Sequence, residues 1–169
     1  MFLATFIPWA AAKAACNLRE GIIRSPVDLP TDVFAKQPKS AALVLQQRAA
    51  TAHYREASEL AKGAAKEALL ADDARCQAEP APCEALRAKR DHVFTRAVLV
   101  SRAPASAEVR AESVSGGTPE RFTLRLEAEA GRWYVTSREP FSGALNEPAP
   151  PAPAGTALTA PGDVAHGHP

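Results

Sequence analysis

The apolar residues between positions 40 and 70 recur at the spacing of an α-helix. Alternating steps of four and three residues place one set on a single helical face: Ala50, Tyr54, Ala57, Ala61, Ala64 and Ala68. Ser40 precedes this run and can cap a helix. The pattern predicts one long helix from about Ser40 to Leu70, whose alanine-rich face packs closely against a sheet or another helix. Gly63 inside the run indicates a close contact or a slight bend.

Two cysteines flank a turn that is expected to follow this helix. The helix is predicted to end near Asp72 and Asp73, and the sequence Gln-Ala-Glu-Pro-Ala-Pro separates Cys76 from Cys83. Because proline lacks an N–H group and clashes with the preceding turn, this segment cannot continue the helix. We expect the chain to turn back here, with both thiols within disulfide range. A short second helix is predicted from Glu84 to about Asp91.

After residue 92 the apolar positions change from a helical period to a period of two, which is typical of strands. Residues 93–102 and 107–112 are predicted strands, and residues 115–119 are a predicted turn. Residues 122–129 alternate strictly, and Ala130 and Gly131 turn the chain into a last strand that ends near Arg138. These four strands are expected to form one antiparallel meander with a single dry face.

The predicted fold class is therefore α+β, with the long helix and the short second helix packed on a four-stranded antiparallel meander. Aromatic residues make up only 6% of the chain, and alanine supplies much of its hydrophobic content, so we expect a modest core of small side chains. All the sheet residues that are expected to point inward are apolar. The candidate core residues are Tyr54, Phe122, Leu124, Leu126, Trp133 and Val135.

Changes in composition divide the chain into four predicted segments. Residues 1–16 are an apolar export or membrane-anchor segment, and residues 17–39 are an extended linker that contains three prolines. Residues 40–142 are the α+β domain. Residues 143–169 are rich in Pro and Ala and poor in large apolar side chains, so we expect a disordered tail. Its two histidines are too few to predict a metal site.

The apolar N-terminal segment is shorter than the roughly 20 residues that span a bilayer. Ala12 and Ala14 fit the small-x-small pattern of a signal-peptide cleavage site, although no basic region precedes them. Cys16 follows two alanines, as does the lipidated cysteine of bacterial lipoproteins, but Lys13 occupies a position where that motif has an aliphatic residue. Alternatively, the segment is the end of a longer hydrophobic anchor. We expect membrane association through residues 1–16, with Cys16 as the candidate lipid anchor.

The cysteines also bear on the cellular compartment. A disulfide between Cys76 and Cys83 persists only in an oxidising environment. That pairing leaves Cys16 over, and lipidation or placement inside a membrane segment accounts for it. The interpretation predicts an extracytoplasmic protein of a bacterial-type envelope, either membrane-tethered or secreted. The alternative is a cytosolic protein with three reduced, partly buried thiols.

Charge and motif spacing exclude several classes of function. The chain has 20 basic and 19 acidic residues, whereas nucleic-acid-binding proteins usually carry a basic excess or stripe. We therefore expect no nucleic-acid partner. Six residues between Cys76 and Cys83 are too many for a zinc knuckle, and no histidine lies at the usual spacing from them. No metal and no cofactor are predicted.

The order of these elements resembles that of the nuclear transport factor 2-like, cystatin-related superfamily. The resemblance covers about residues 40–140 and includes the closing sequence Phe-Thr-Leu-Arg-Leu-Glu-Ala-Glu-Ala-Gly-Arg-Trp-Tyr-Val. It implies a curved sheet wrapped on helices, which forms a cone that holds a ligand or serves as an assembly surface. The chain departs from the family in having only four predicted strands and no third helix. A simpler α+β sandwich is the alternative.

Isomerases and dehydratases of that superfamily place Asp or His inside the cone. The weak catalytic candidates of this chain lie elsewhere: Asp91 and His92 at the junction between helix and strand, and His53 on the long helix. We therefore expect a non-catalytic domain that holds a small apolar ligand or docks an unknown protein partner. One alternative is an accessory assembly subunit of a larger membrane or secretion complex. The other is an enzyme of the isomerase or dehydratase type.

Overall fold

A computed structural model of the protein describes residues 22–23, 31–115 and 117–145. Among these residues, a short first strand and five helices precede four long strands, so the fold is α+β. The elements in chain order are β1 (Ile22–Ile23), α1 (Thr31–Phe34), α2 (Pro38–Ala50), α3 (Tyr54–Ser58), α4 (Gly63–Ala78), α5 (Pro80–Ala88), a 3₁₀ turn (Arg90–His92), β2 (Phe94–Arg102), β3 (Ser106–Ser115), β4 (Thr118–Glu129) and β5 (Arg132–Pro140).

The strands form one antiparallel sheet in the order β1-β2-β3-β4-β5. The predicted meander of four strands is confirmed, and the two residues of β1 add a short fifth strand beside β2. The turn between β4 and β5 contains Ala130 with φ +50° and Gly131 with φ +76°. Two successive positive φ values are typical of two-residue type I′ hairpins, whose twist matches that of the flanking strands.

The helix α2 is central to the core. Nine of its 13 residues are buried, and it contacts β2, β3 and β5 on the inner face of the sheet. Burial on almost every side explains why it lacks a polar face. The sheet contributes Leu124, Leu126, Trp133 and Val135 to this core, all at most 5% exposed. Two more of the candidate core residues, Tyr54 and Phe122, are partly buried and pack against its rim.

The single long helix predicted from Ser40 to Leu70 is wrong, because the chain breaks twice in that interval. The first break is a Schellman motif at the end of α2. Ala52 adopts a left-handed φ of +55°, and its N–H group donates to the carbonyl of Ala49 over 3.1 Å. The N–H group of His53 donates to the carbonyl of Arg48 over 2.8 Å. Glycine usually occupies the left-handed position, so an alanine there gave no signal of a helix end.

The second break lies between α3 and α4, where the backbone pairs with the outer edge of β5. The N–H group of Lys62 donates to the carbonyl of Val135 over 2.9 Å, and the N–H group of Val135 donates to Leu60 over 2.8 Å. Gly63 then takes a φ of +53° and starts α4. The glycine therefore marks a helix boundary rather than a bend within one helix.

The predicted end of the helix near Asp72 and Asp73 is also wrong, since α4 continues to Ala78. Both carboxylates accept hydrogen bonds within the helix: Asp72 from Arg75 over 2.5 Å and Asp73 from Gln77 over 2.9 Å. Pairs at this spacing stabilise helices. One residue, Glu79, separates α4 from α5, which begins at Pro80 rather than at Glu84. Proline is favoured at the first helical position, because its missing N–H group would have no partner there.

A β-bulge interrupts the pairing of β4 with β5. Leu126 lies opposite Val135 and Arg125 lies opposite Ser137, so Thr136 is an extra residue in β5. One extra residue reverses the face to which all later side chains of the strand point. Arg138 consequently lies opposite Leu124 on the inner face of the sheet.

Several predicted segments fall wholly or partly outside the described residues. The export or anchor segment of residues 1–16 lies outside them, as do most of the tail and residues 17–21 and 24–30 of the predicted linker. Within the described part of that linker, residues 31–34 form α1 and Phe34 is fully buried. In the parts of the chain that the structure describes, none of the helices has the length and apolar character needed to cross a bilayer.

Candidate functional site

One end of the interface between the helices and the inner face of the sheet is polar. Thr95 and Ser113 are cross-strand partners on β2 and β3, and Ser113 lies opposite Glu120 on β4. Arg138 lies on the same face of β5. The expectation that all inward-pointing sheet residues are apolar is therefore wrong at this end. Polar groups in such a place must find partners, because burying them unbonded costs free energy.

Two neighbouring glutamines of α2 supply hydrogen-bond partners. Gln46 is fully buried, and its Nε2 donates to the hydroxyl of Ser113 over 2.9 Å. Gln47 is also buried; its Oε1 accepts a hydrogen bond from the hydroxyl of Thr95, and its Nε2 donates to the carbonyl of Val93 over 3.5 Å. These bonds fix the distance and rotation of α2 relative to β2 and β3.

Arg138 completes a group that we call the Arg138 cluster: Arg138, Gln46, Ser113 and Phe122. Its Nε donates to Oε1 of Gln46 over 3.0 Å, so that Gln46 bonds to two strands at once. Its guanidinium lies 3.5 Å above the centroid of the Phe122 ring, in a cation–π contact. Both contacts restrain the position of the guanidinium.

The charge of Arg138 has no ion-pair partner among the described residues, since none of their carboxylates lies within 4.0 Å of it. Burial lowers the pKa of Arg138 because it disfavours the charged form. The carboxylates of Glu120 and Asp72 act in the opposite direction from a greater distance. A partly buried cation without a counter-ion is costly to the fold, which makes this position the candidate binding site.

Tyr54 is the first residue of α3 and lies close to this charge. Burial raises the pKa of its hydroxyl, and the negative charge of Asp72 raises it further, whereas Arg138 acts in the opposite direction. The phenol therefore stays protonated at neutral pH and can donate a hydrogen bond. The Schellman motif at Ala52 turns the chain so that Tyr54 reaches this position.

Two cavities lie beside the Arg138 cluster. The first, which we call the α4–β5 cavity, has a volume of about 340 Å³ and is lined by Ala64, Ala65, Ala68, Leu69, Asp72, Ser137, Arg138 and Glu139. The second, the Tyr54 cavity, has a volume of about 170 Å³, and its lining includes Tyr54, Leu86, Ser113 and Glu120. Asp72 in the first lining and Glu120 in the second both raise the pKa of Arg138, so the two cavities share one electrostatic environment.

A disulfide joins Cys76, in the last turn of α4, to Cys83, in the first turn of α5, with their Cα atoms 5.7 Å apart. Both cysteines are buried, and together with Ala52 they form a second apolar cluster against which Tyr54 and Leu86 pack. The disulfide therefore lies directly behind the wall of the Tyr54 cavity. A further bond from Nε of Arg87 to the carbonyl of Ala52, over 3.2 Å, ties α5 to the end of α2.

The weak catalytic candidates do not belong to the Arg138 cluster. Asp91 and His92 are exposed on the 3₁₀ turn, where the carboxylate of Asp91 lies 3.8 Å from the guanidinium of Arg90. His53 is partly buried at the end of α2, with its Nδ1 3.0 Å from the hydroxyl of Thr51. Cys16, the candidate lipid anchor, lies outside the described residues. Within residues 22–23, 31–115 and 117–145, no three His, Cys, Asp or Glu residues form a possible metal site.

Comparison of the chain with protein-family models, with curated proteins and with solved structures gave no significant match. The candidate site is therefore identified from its geometry and charge alone.

Proposed function

We propose that this protein is a non-catalytic domain that holds a small ligand in the α4–β5 cavity, beside Arg138. The observation that carries the proposal is a partly buried guanidinium that lines a cavity and has no ion-pair partner among the described residues. The cavity volume of about 340 Å³ lies at the lower end of the range of small-molecule sites. A bound anionic ligand would supply the ion-pair partner that the described residues do not provide for Arg138.

The chemistry of the neighbouring groups favours binding over catalysis. A general base must be unprotonated and within hydrogen-bond reach of the proton that it removes. Tyr54 is held protonated by its raised pKa, and the guanidinium of Arg138 stays charged. Asp72, the nearest acidic group on α4, is already engaged by Arg75 over 2.5 Å. In the test below, an isomerase or dehydratase activity would be seen as turnover of a probe.

We further propose an extracytoplasmic location, membrane-tethered or secreted, in a bacterial-type envelope. The disulfide between Cys76 and Cys83 is compatible with an oxidising compartment. Residues 1–16, with Cys16, would supply the tether. The arrangement of helices on one face of an antiparallel sheet supports a proposed relationship to the nuclear transport factor 2-like, cystatin-related superfamily.

The binding function is tested by nuclear magnetic resonance titration of the full-length oxidised protein. The probes are four compounds with one eight-carbon chain and different head groups: octanoate, 1-octanol, octylamine and octyl phosphate. We expect at least one of them to shift the backbone amide resonances of Ala65, Ala68 and Ser137 in a saturable manner. Turnover of a probe during the titration would favour the enzyme, and shifts confined to other surfaces would refute this site.

A second experiment addresses location and assembly. Intact mass is measured under non-reducing conditions on protein from separated membrane and soluble fractions. We expect a membrane-bound or secreted species that is two protons lighter than the reduced chain, with or without a lipid adduct on Cys16. A cytosolic species with three free thiols would contradict the proposed location. Co-purification as a complex of fixed stoichiometry would favour an assembly subunit.

A further inference from the structure

We propose that the ligand of the α4–β5 cavity is a small monocarboxylate with an apolar body, whose carboxylate binds the terminal nitrogens of Arg138. This inference rests on the proposed binding function and assigns its chemical class. Three features of the cavity carry it: the free donors of Arg138, the apolar wall of α4, and the way in which the acidic residues of the lining are already engaged.

The first feature is the set of free donors. A guanidinium has five N–H groups in a fixed planar fork. The Nε group donates to Gln46, and the terminal nitrogens have no hydrogen-bond acceptor among the described residues. Two parallel N–H groups match the two oxygens of a carboxylate in geometry and charge. Since the contact with Phe122 and the bond to Gln46 already restrain the guanidinium, less side-chain entropy remains to be lost on binding.

The second feature is the wall that α4 contributes to the cavity. Ala64, Ala65, Ala68 and Leu69 place only methyl and isobutyl groups there. Small side chains let a ligand lie close to the helix, and Ala65 and Leu69 are already part of the main core. An apolar chain along this wall would be removed from water, which favours binding in proportion to the apolar area that is buried.

The third feature is the state of the acidic residues in the lining. Asp72 accepts from Arg75, and Glu139 accepts from the hydroxyl of Ser137 over 2.8 Å. Arg75 compensates the charge of Asp72, and both carboxylates already have one donor, which makes them weaker sites for a cationic ligand. The negative charges of Asp72 and Glu120, which act on Arg138, would repel a doubly charged phosphate more strongly than a singly charged carboxylate. The charge distribution favours one negative charge on the ligand.

The test is isothermal titration calorimetry of the full-length oxidised protein with octanoate, 1-octanol, octylamine and octyl phosphate. We expect octanoate to bind about tenfold or more tightly than 1-octanol, because only octanoate can accept two charge-assisted hydrogen bonds. The variant R138M should lose about tenfold or more in octanoate affinity and retain its affinity for 1-octanol. R138K keeps the charge without the fork and should fall between the two.

The matched control is R125M, which removes an exposed arginine from the neighbouring strand β4 and should leave octanoate binding unchanged. A second variant, A68W, fills the cavity from an exposed position of α4 without replacing Arg138, and should weaken octanoate and 1-octanol alike. It keeps the proposal testable if R138M does not fold.

Each contrary outcome has a distinct meaning. Equal affinity for octanoate and 1-octanol, or equal octanoate affinity in R138M and R125M, overturns the carboxylate assignment and leaves the binding function standing. Tighter binding of octylamine or octyl phosphate does the same and identifies a cationic or phosphate ligand. If none of the four probes binds, the proposed function fails together with this inference.

Discussion

Arg138 lies directly opposite Leu124 across β4 and β5, on the face of the sheet that packs against α2. Uninterrupted alternation from the inward-pointing Val135 would place Ser137 on this face and Arg138 on the other. The extra residue Thr136 reverses that parity. A single unpaired position in β5 thus decides whether the guanidinium reaches Gln46 or points away from the helices.

Insertion of one alanine between Ser137 and Arg138 should turn Arg138 out of the site. The inserted alanine takes the inward position opposite Leu124, and Gln46 loses its donor from β5. We expect a decrease of about 1–3 kcal/mol in the free energy of unfolding, measured by urea denaturation, together with loss of octanoate binding. The substitution T136S keeps the number of residues in β5 and should change neither quantity. Octanoate binding by the insertion variant at wild-type affinity would show that the parity of β5 does not position Arg138.

Removal of the disulfide should destabilise the helical side of the site. Replacing Cys76 and Cys83 with serine releases a loop whose closure contributes about 2–3 kcal/mol in the chain-entropy model. The loss should appear in the midpoint of urea unfolding and, since Tyr54 and Leu86 pack against this pair, as line broadening of their resonances. The reduced wild-type protein serves as the control and should resemble the double variant. Equal stability of the oxidised and serine forms would contradict this account.

The substitution G63A should be destabilising for a conformational reason alone. Gly63 has a φ of +53°, and a Cβ atom at this position would meet no other atom within 4 Å. The cost is therefore the strain of a left-handed alanine, about 1 kcal/mol in the free energy of unfolding. G63N should lose less, because asparagine tolerates this region better. If G63A and G63N were equally stable, the left-handed φ at this position would be in doubt.

Ionisation of Tyr54 should couple to stability at high pH. Burial and the charge of Asp72 raise the pKa of its hydroxyl in the folded state. A group whose pKa is raised on folding stabilises the protein fully below its unfolded pKa, here about 10, and that contribution is lost as the pH rises through the folded value. We therefore expect the free energy of unfolding of wild type to fall more steeply above about pH 10 than that of Y54F.

The same titration offers a second check through Asp72. In D72N the pKa of Tyr54, followed by tyrosinate absorbance, should be lower than in wild type, because a negative charge that raises it is gone. The chain has two tyrosines, so Y134F is needed to assign the signal to Tyr54. An unchanged or higher pKa in D72N would mean that the two groups do not interact.

Strands β3 and β4 could be predicted from the sequence because their apolar and polar residues alternate. Leu124 and Leu126 alternate with polar residues without interruption. Ala130 and Gly131, between two alternating segments, form the two-residue turn. In a sheet with one buried face, apolar and polar residues alternate along each strand, so the sequence indicates which residues point inward. The pairing of Cys76 with Cys83 was likewise predictable, because the prolines between them exclude a continuous helix.

The division of the helical region could not be predicted, because its determinants are tertiary. Ala52 adopts a conformation that usually belongs to glycine, and the segment from Leu60 to Lys62 leaves the helix to pair with a strand more than 70 residues later. Helical periodicity continues through both breaks, although Ala57 and Ala61 of the predicted stripe are buried whereas Ala64 and Ala68 are exposed. Arg138 was missed for a related reason: the bulge at Thr136 breaks the alternation that the prediction assumed.

The outer edge of β5 is paired with the helical half of the chain. Val135 bonds to Leu60 and Lys62, and the N–H group of Trp133 donates to the carbonyl of Ala35 over 2.6 Å. This pairing bears on self-association. An unpaired strand edge is a template on which another chain can add a strand. Fibre growth requires such a template on both sides of a sheet, because each new copy must accept the next. Here the helical half of the chain occupies the β5 side along this stretch. Strand addition to this stretch of β5 is thereby blocked, which removes one of the two templates that fibre growth would need.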